Sequence, residues 1–513
     1  MSRSQSTSWT LNVLLTDWVS ESLPDTPVSG VSLDSRLIER GDLYLAVDGA
    51  VTHGMRYAQA AVDAGAAAVV IASDDVESFA DVIETIRKRG VPVIAVDDLA
   101  SQCADIAARF YDYPDRAMTV IAVTGTDGKT SVCRFIAQAF DAVGKRCGYI
   151  GTLGWGLGDQ LDSTELTTPD VVSLRRMLAS LQREGAELVA LEASSHGLAE
   201  QRLKGLSIDV AVLTNFGRDH LDYHKTVEHY KASKASLFSW PDLSAMVLNE
   251  TDSLGRELLA EASSSVRQIA YRAERLAAEI ELSTQLRDNV LSLCACDVKA
   301  NDTGLSFTLS EGNQSSHIST SLLGQFNVDN LLACYASLRA CGVAANEACH
   351  GLSVVKPVEG RMERFGGQGS PTVVVDFSHT PQALSVAIES VRVHCRGNLW
   401  VVFGCGGDRD PGKRAPMARA AEQADYVVLT DDNPRTEASE DIIAAAMKGF
   451  EKPEDVMVLA NRSKAIRHAV SQAKPNDLVL VAGKGHEDYQ IIGNTRYPFS
   501  DREEVLAALE VAS

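Results

Sequence analysis

The sequence predicts an α/β protein of three domains. A first α/β segment precedes a central parallel-sheet domain that is built around a phosphate loop and carries a β-rich insertion. A doubly wound, Rossmann-like domain ends the chain. Three observations predict this. Continuous apolar runs of strand length alternate with helical patterns along most of the chain, as in parallel sheets covered on both faces. A glycine-rich turn joins one such run to a helical pattern at residues 125–130. Five more strand runs alternate with helical patterns after residue 372. At about 150 residues per domain, 513 residues accommodate three or four, and the expected boundaries are 1–115, 116–355 and 356–513.

In the first segment the runs LYLAV (43–47), AAAVVIA (66–72) and VPVIAV (91–96) are strands between Ala-rich helical stretches, with less regular patterning before residue 43. The second opens with MTVIAVTG (118–125), and LVALEAS (188–194), VAVLTNF (210–216) and AMVLNE (245–250) are further buried strands. From 290 to 323 the texture turns polar and Ser/Thr-rich, with alternation in LSFTLS, which marks the β-rich insertion. The third segment carries VVVDF (373–377), LWVVFG (399–404), YVVLT (426–430), VMVLA (456–460) and LVLVAG (478–483).

Composition narrows the function. Hydrophobic residues make up 45% and charged residues 23%, so the chain is not broadly disordered. Mean hydropathy is −0.05, and no apolar run approaches the ~20 residues of a membrane helix, so no membrane insertion is expected. Asp17 interrupts the short NVLL run, leaving no export-signal core. Ten cysteines without a CxxC pair then read as reduced thiols of a cytoplasmic protein. The net charge of −21 excludes broad nucleic-acid binding but not a local phosphate site.

Gly125-Thr126-Asp127-Gly128-Lys129-Thr130 supplies such a site. Glycines let backbone amides approach phosphate oxygens and the helix start adds positive potential. Lys129 reaches the β/γ-phosphates, and the Thr130 hydroxyl can ligate Mg²⁺. The usual first glycine is Val123 here, so the loop is a shortened GxxGKT. No NKxD-like guanine reader accompanies it.

Glu192 ends one strand, and His220 follows another in NFGRDHLDYH. Both fall at the carboxyl ends of strands expected beside the phosphate-loop strand, where α/β sheets bind ligands. Together they could hold Mg²⁺ or Mn²⁺; singly, Glu192 could cap a helix, and His196, His220 and His224 could be ordinary loop histidines. Lys234, in the helical stretch HYKASKASLF, reads on its own as a solvated surface lysine.

Three strands of the last domain run into dense polar loops: CGGDRD with Arg409, DDNPRTE with Asp432, Asn433 and Arg435, and KGHEDYQ with Glu487. Acids and arginines at one sheet edge suit a zwitterion. Arginine clamps a carboxylate and Asp or Glu takes an ammonium. The bland reading of DDNPR is an Asn-Pro turn with a capping Asp.

These motifs together resemble the Mur ligase family, and the resemblance spans the whole chain. TGTDGKTS, TTPD (167–170), EASSHGL, NFGRDHLDYH, GQFNVDN (324–330), EGRMER (359–364), DFSHTP (376–381) and GKGHEDYQ occur in family order. The DNPR at 432–435 looks like the signature of the members that take diaminopimelate; lysine-adding relatives lack its Arg.

The resemblance implies the roles. Leu33 and Ser35 would touch the uridine end of a UDP-sugar. Thr167, Thr168, Ser194 and Arg202 would hold a muramoyl-dipeptide. Gly125, Thr126, Asp127, Gly128, Lys129, Thr130 and Ser131 would take ATP, with Asn327, Asp376 and His379 lining the nucleotide. Mg²⁺ would sit on Thr130, Glu192 and His220. Lys234 aligns with a carbamylated lysine, whose CO₂-derived carbamate is an anionic metal ligand, so the resemblance reverses the surface reading. Arg409, Asp432, Asn433, Pro434, Arg435, Gly483 and Glu487 would bind diaminopimelate. The implied activity is ATP-dependent amide formation in peptidoglycan synthesis, and a monomer is expected. Glu200, where the family often has Gln, is left out of the site because it adds negative charge beside an anionic substrate. The rivals are a lysine-adding or folylpolyglutamate ligase, an inactive binding protein on this scaffold, and a phosphate-loop kinase or NTPase.

Overall fold

The structure is a computed structural model and describes residues 9–49, 52–263, 265–274, 290–301, 303–367 and 369–512. The octet 1–8, part of the stretch read for an export signal, lies outside the described residues. The chain forms two compact units, residues 1–129, 144–212 and 216–246, and residues 130–143, 213–215 and 247–513.

The first unit holds two sheets' worth of the expected strands. Gly30–Ser32, Asp42–Ala46, Ala68–Ala72 and Val93–Val96 pair in parallel in chain order. The short first strand is one the irregular patterning had hidden. Thr119–Thr124 lies between the strands Val210–Leu213 and Leu188–Glu192. Cys147–Gly151 pairs parallel to Leu188–Glu192, and the antiparallel strands Gly154–Leu157 and Gln160–Asp162 extend that edge. Residues 120–123 are fully buried, as a strand covered on both faces requires.

In the second unit Arg267–Ala273, Val290–Asn301, Gly304–Glu311 and Gln314–Thr320 are consecutive sheet neighbours, with antiparallel pairing among the last three. The alternation read in LSFTLS is real: Leu305, Phe307 and Leu309 are buried while their neighbours are half-exposed. The C-terminal sheet has the order Glu363–Gly366, Thr372–Asp376, Leu478–Ala482, Leu399–Cys405, Tyr426–Asp431, Val456–Val458; all pairs but the first are parallel. Val374, Val401, Phe403 and Leu429 pack against the helices Pro381–Arg392 and Arg414–Ala421. Val375, Val402, Val428 and Val481 pack on the opposite face against Arg462–Gln472 and Asp501–Ala512. This is the doubly wound arrangement expected, and it brings three polar loops to the carboxyl edge of adjacent strands.

Candidate active site

The phosphate loop is held in place by its own backbone and by two lysines. Gly125 (φ +155°) and Gly128 (φ +82°) adopt conformations that residues with a Cβ rarely reach. Lys129 donates to the carbonyls of Gly125 (2.9 Å) and Thr126 (3.0 Å). Lys234 donates to the same Gly125 carbonyl at 2.6 Å. Thr126 Oγ1 receives the Gly217 amide at 2.8 Å and lies 3.0 Å from the Tyr230 hydroxyl. Asp127 stands exposed at the tip of the turn. Thr130 and Ser131 open the helix Lys129–Ala142 and are both buried.

Lys234 is not a surface lysine. It is 1% exposed on the helix Val227–Ala235, its ammonium 4.6 Å from the Tyr230 ring centroid. Helical spacing alone hid this, because the helix carries polar residues on nearly every face. Burial first, then the like charge of Lys129, pushes Lys234 well below the ordinary lysine range; Asp219 and Asp127 oppose the shift. Burial therefore favours the neutral amine at this position, and the neutral amine is the form whose lone pair can attack CO₂.

Glu192 is completely buried at the end of its strand. Its carboxylate accepts from the Tyr149 hydroxyl (2.7 Å), the Thr152 amide (2.9 Å) and the Thr152 hydroxyl (3.1 Å). The Thr152 hydroxyl meets Thr167 Oγ1 at 3.0 Å. Thr168 Oγ1 donates to the Glu192 carbonyl at 2.8 Å, lies 2.9 Å from Ser194 Oγ and accepts the Ser194 amide at 3.0 Å. The structure thus brings Thr167, Thr168 and Ser194 together around Glu192. Tyr149 and Thr152 were missed, since nothing in their spacing links them to a strand end some forty residues away.

Arg202 donates to the Thr168 carbonyl at 2.8 Å. It is also paired with Glu200 at 2.5 Å, and Glu200 accepts from the Tyr223 hydroxyl at 3.2 Å. Glu200, left out on grounds of charge, orients a residue assigned to the site, and Arg202 neutralises it. His220 takes a left-handed turn (φ +52°) and is exposed. Its ring lies 4.8 Å from His196, and His224 is buried 5.5 Å from His196. Among the described residues no group of three or more His, Cys, Asp or Glu side chains is arranged to hold a metal ion. Leu33 and Ser35 are half-buried beside Asp34, whose carboxylate takes the Arg36 amide at 2.8 Å, and Arg36 also reaches Glu165 at 3.3 Å.

In the second unit Asn327 is buried at the start of Phe326–Ala340; it donates to the Leu323 carbonyl (2.7 Å) and accepts from Asn330 (2.9 Å). Asp376 ends its strand and takes the amides of Met362 (2.9 Å) and Ser378 (3.0 Å). His379 is exposed, 4.7 Å from the Phe377 ring.

The three polar loops converge. Asn433 donates to Glu487 at 3.1 Å and accepts the Ile491 amide at 2.9 Å. Pro434 is buried in the turn. Arg435 holds a left-handed conformation (φ +52°); its amide donates to the Ile491 carbonyl at 3.1 Å, and its carbonyl accepts the Gly493 amide at 2.7 Å. One guanidinium nitrogen donates to the Gly407 carbonyl at 2.8 Å. Nε and Nη2 have no partner among the described residues, and the exposed Arg409 side chain has none either. Gly483 (φ +124°) lies against Asp432: a Cβ there would fall 2.8 Å from its carboxylate.

The acids expected to receive an ammonium already hold one. Lys484 is wholly buried, with Nζ 3.0 Å from Asn433 Oδ1, 3.0 Å from Glu487 Oε2 and 3.7 Å from Asp432 Oδ1. Its place in GKGHEDYQ was visible, but its burial was not.

Comparison with known proteins gives a consistent picture. Three family models match: "Mur ligase family, catalytic domain" over residues 27–111, "Mur ligase middle domain" over 123–338 and "Mur ligase, glutamate ligase domain" over 360–485. A Pseudomonas putida protein named UDP-N-acetylmuramoyl-L-alanyl-D-glutamate–2,6-diaminopimelate ligase is 44% identical over 488 residues, 94% of this chain and 95% of the relative. An Alkalilimnicola ehrlichii protein of the same name is 45% identical over 502 residues, 97% of this chain and 98% of the relative. A solved structure bearing that ligase name aligns with TM-score 0.68 at 31% identity, covering 98% of this chain and 99% of the other. A MurF ligase from Thermotoga maritima in complex with ADP shares the fold, with TM-score 0.61 at 16% identity over 94% of this chain and 98% of its own.

Proposed function

Because the chain belongs to the Mur ligase family, we propose that it is the ATP-dependent ligase joining meso-diaminopimelate to the D-glutamate of UDP-MurNAc-L-Ala-D-Glu in peptidoglycan precursor synthesis. The near-full-length likeness to ligases of that name carries the reading. The Asp432, Asn433, Arg435 and Glu487 constellation supports the choice of amino acid, since it offers both carboxylate and ammonium partners to one end of a zwitterion. The lysine-adding and non-ligase alternatives account for neither.

In this reading residues 1–115 bind the UDP-sugar, 116–355 the nucleotide and 356–513 the amino acid. A γ-carboxylate oxygen of the acceptor attacks the ATP γ-phosphorus, and ADP leaves. The amine of diaminopimelate attacks the resulting acyl carbon, and phosphate departs as the amide forms. Two anions meet in the first step, so neutralisation and positioning dominate the catalysis. Lys129 supplies positive charge to the transferring phosphoryl group. Two of its three N–H groups are bonded here to the Gly125 and Thr126 carbonyls. Thr167, Thr168, Ser194 and Arg202 orient the dipeptide, and Leu33 and Ser35 meet the uridine. Asn327, Asp376 and His379 line the nucleotide.

A carboxylate, an imidazole, a hydroxyl and a carbamate form an oxygen-rich donor set that suits Mg²⁺. Glu192, His220, Thr130 and Lys234 as its carbamate would hold the ion, which when bound supplies charge stabilisation to the phosphates. The depressed basicity of Lys234 favours the carbamate. We infer a cytoplasmic reaction, since its acceptor is nucleotide-linked and its energy source is ATP, and a single chain as the working unit. No described helix is long and apolar enough to cross a membrane.

Omission assays test the proposal. ADP release requires ATP, the UDP-linked dipeptide and meso-diaminopimelate together, and the product mass rises by one diaminopimelyl residue. ATP turnover indifferent to the amino acid would refute it.

A further inference from the structure

We propose that Lys484 is a positioning residue of the amino-acid site: it fixes Asn433 and Glu487 and cancels one of two carboxylate charges, so that the site accepts one additional ammonium, the far one of a diamino diacid. This rests on the functional reading above.

Lys484 follows the strand Leu478–Ala482 and is 0% exposed. A buried ammonium needs partners around it, and this one is ringed by Asn433 Oδ1, Glu487 Oε2 and the Asp432 carboxylate at 3.0, 3.0 and 3.7 Å. The contacts settle how Asn433 points. Its Oδ1 takes both Lys484 and the Ile491 amide, so its Nδ2 faces Glu487 Oε2 at 3.1 Å. Glu487 Oε2 therefore accepts two bonds within the protein. Oε1 has none among the described residues, and the side chain is 22% exposed. One oxygen is anchored and the other is presented.

Charge counting gives the same result. Asp432 and Glu487 contribute two negatives and Lys484 one positive, leaving one negative unmatched. Arg462 is the other buried cation nearby; Asp432 and Glu487 lie within its electrostatic reach, but its ion pair is made with a different acid. It pairs with Asp501 through two bonds of 2.7 Å and donates to the Asp431 and Ala482 carbonyls. Tyr489, whose ring lies 5.5 Å from Lys484, adds no charge. Arg435 keeps Nε and Nη2 for a carboxylate. The constellation fits a terminus bearing one ammonium and one carboxylate. A terminus bearing only a carboxylate leaves Glu487 Oε1 unpaired.

The test compares meso-diaminopimelate with 2-aminopimelate, which keeps the far carboxylate but lacks the far ammonium. Wild type is expected to favour diaminopimelate in kcat/KM. Lys484→Met is expected to raise the diaminopimelate KM about tenfold, with a smaller fall in kcat. It should also reduce the preference over 2-aminopimelate at least fivefold, leaving the KM for ATP and the UDP-linked dipeptide within twofold. Lys484→Arg, which keeps the charge, should recover part of the preference. Should the Met variant not fold, Lys484→Gln carries the same comparison. Equal losses on both amino acids with the preference intact, or a preference that rises as the two carboxylates lose their cation, overturn the positioning role of Lys484. Wild-type inactivity with diaminopimelate overturns the functional reading itself, and this proposal with it.

Discussion

Replacing Arg435 with alanine should cost diaminopimelate use far more than it costs folding. The backbone at this position is held independently of the side chain, by the Ile491 carbonyl at 3.1 Å and the Gly493 amide at 2.7 Å. Alanine inherits the same left-handed φ of +52°, so the substitution adds little strain beyond what arginine already bears. The folded protein loses a bond from Nη1 to the Gly407 carbonyl at 2.8 Å, worth about 0.5–1.5 kcal/mol, and a long one to the Asn433 carbonyl at 3.4 Å. The ligand loses more. Nε and Nη2 form an unspent fork on a half-buried guanidinium, suited to two parallel bonds with a carboxylate. Truncating one partner of such a pair costs roughly 2–5 kcal/mol, a factor of about 30 to several thousand. Diaminopimelate carries the far carboxylate and lysine does not. In Arg435→Ala, kcat/KM for diaminopimelate should fall at least about tenfold, even if water replaces part of the interaction, while the low activity with lysine changes far less. Arg435→Lys should rescue only in part, since an ammonium lacks the planar fork. The assay is kcat/KM for both amino acids in wild type and variants. An unchanged ratio would make Arg435 a turn residue and refute the reasoning.

Lys129→Ala should keep its thermal unfolding profile and lose ligation by about 100-fold or more, the scale on which removing a stabilising charge acts; near-normal product formation sinks the phosphate-loop role. Lys234→Ala should lose activity, and formate or acetate should restore part of it by supplying the missing oxygens; a high-resolution structure of active, CO₂-equilibrated enzyme with a bare amine at Lys234 argues against the carbamate. Tyr230→Phe removes the hydroxyl that meets Thr126 at 3.0 Å, worth about 0.5–1.5 kcal/mol, so the KM for ATP should rise several-fold with a small loss of stability; an unmoved KM separates Tyr230 from the loop. His486 is held down to about 4 by burial and then by Arg361, so its neutral form is the folded one. Its contribution to stability is present above the unfolded value near 6.5, and is lost as pH falls from there through about 4. His486→Gln should flatten the loss of stability across that window, and an acid-unfolding curve parallel to wild type would contradict it.

What the sequence made legible was what one stretch of chain can state alone. The runs VVVDF, LWVVFG, YVVLT and LVLVAG are strands because each is buried on both faces, and a continuous apolar run encodes that locally. GTDGKT, between a strand and a helix, likewise carries its geometry in its own glycines. What stayed hidden was long-range pairing. Lys234 reaches a carbonyl 109 residues away, Tyr149 a carboxylate 43 residues away, and Lys484 an amide 51 residues away. No period records such partners. A lysine amid polar helix positions looks solvated until the fold closes over it, and resemblance rather than spacing pointed to Lys234. Lys484 lay inside the motif GKGHEDYQ, but no role came with it. The Glu200–Arg202 pair is another partner that no period records: the Glu200 charge is paired two residues along.

The acyl phosphate is the claim on which the account turns, and oxygen tracing tests it most directly. The acceptor is labelled with ¹⁸O in both oxygens of its D-glutamyl γ-carboxylate and turned over with ATP and meso-diaminopimelate. If the carboxylate attacks the γ-phosphorus and the amine then displaces phosphate from the acyl carbon, each inorganic phosphate released carries one ¹⁸O and the amide carbonyl keeps the other. Phosphate without label, or label found in AMP, would contradict the mechanism.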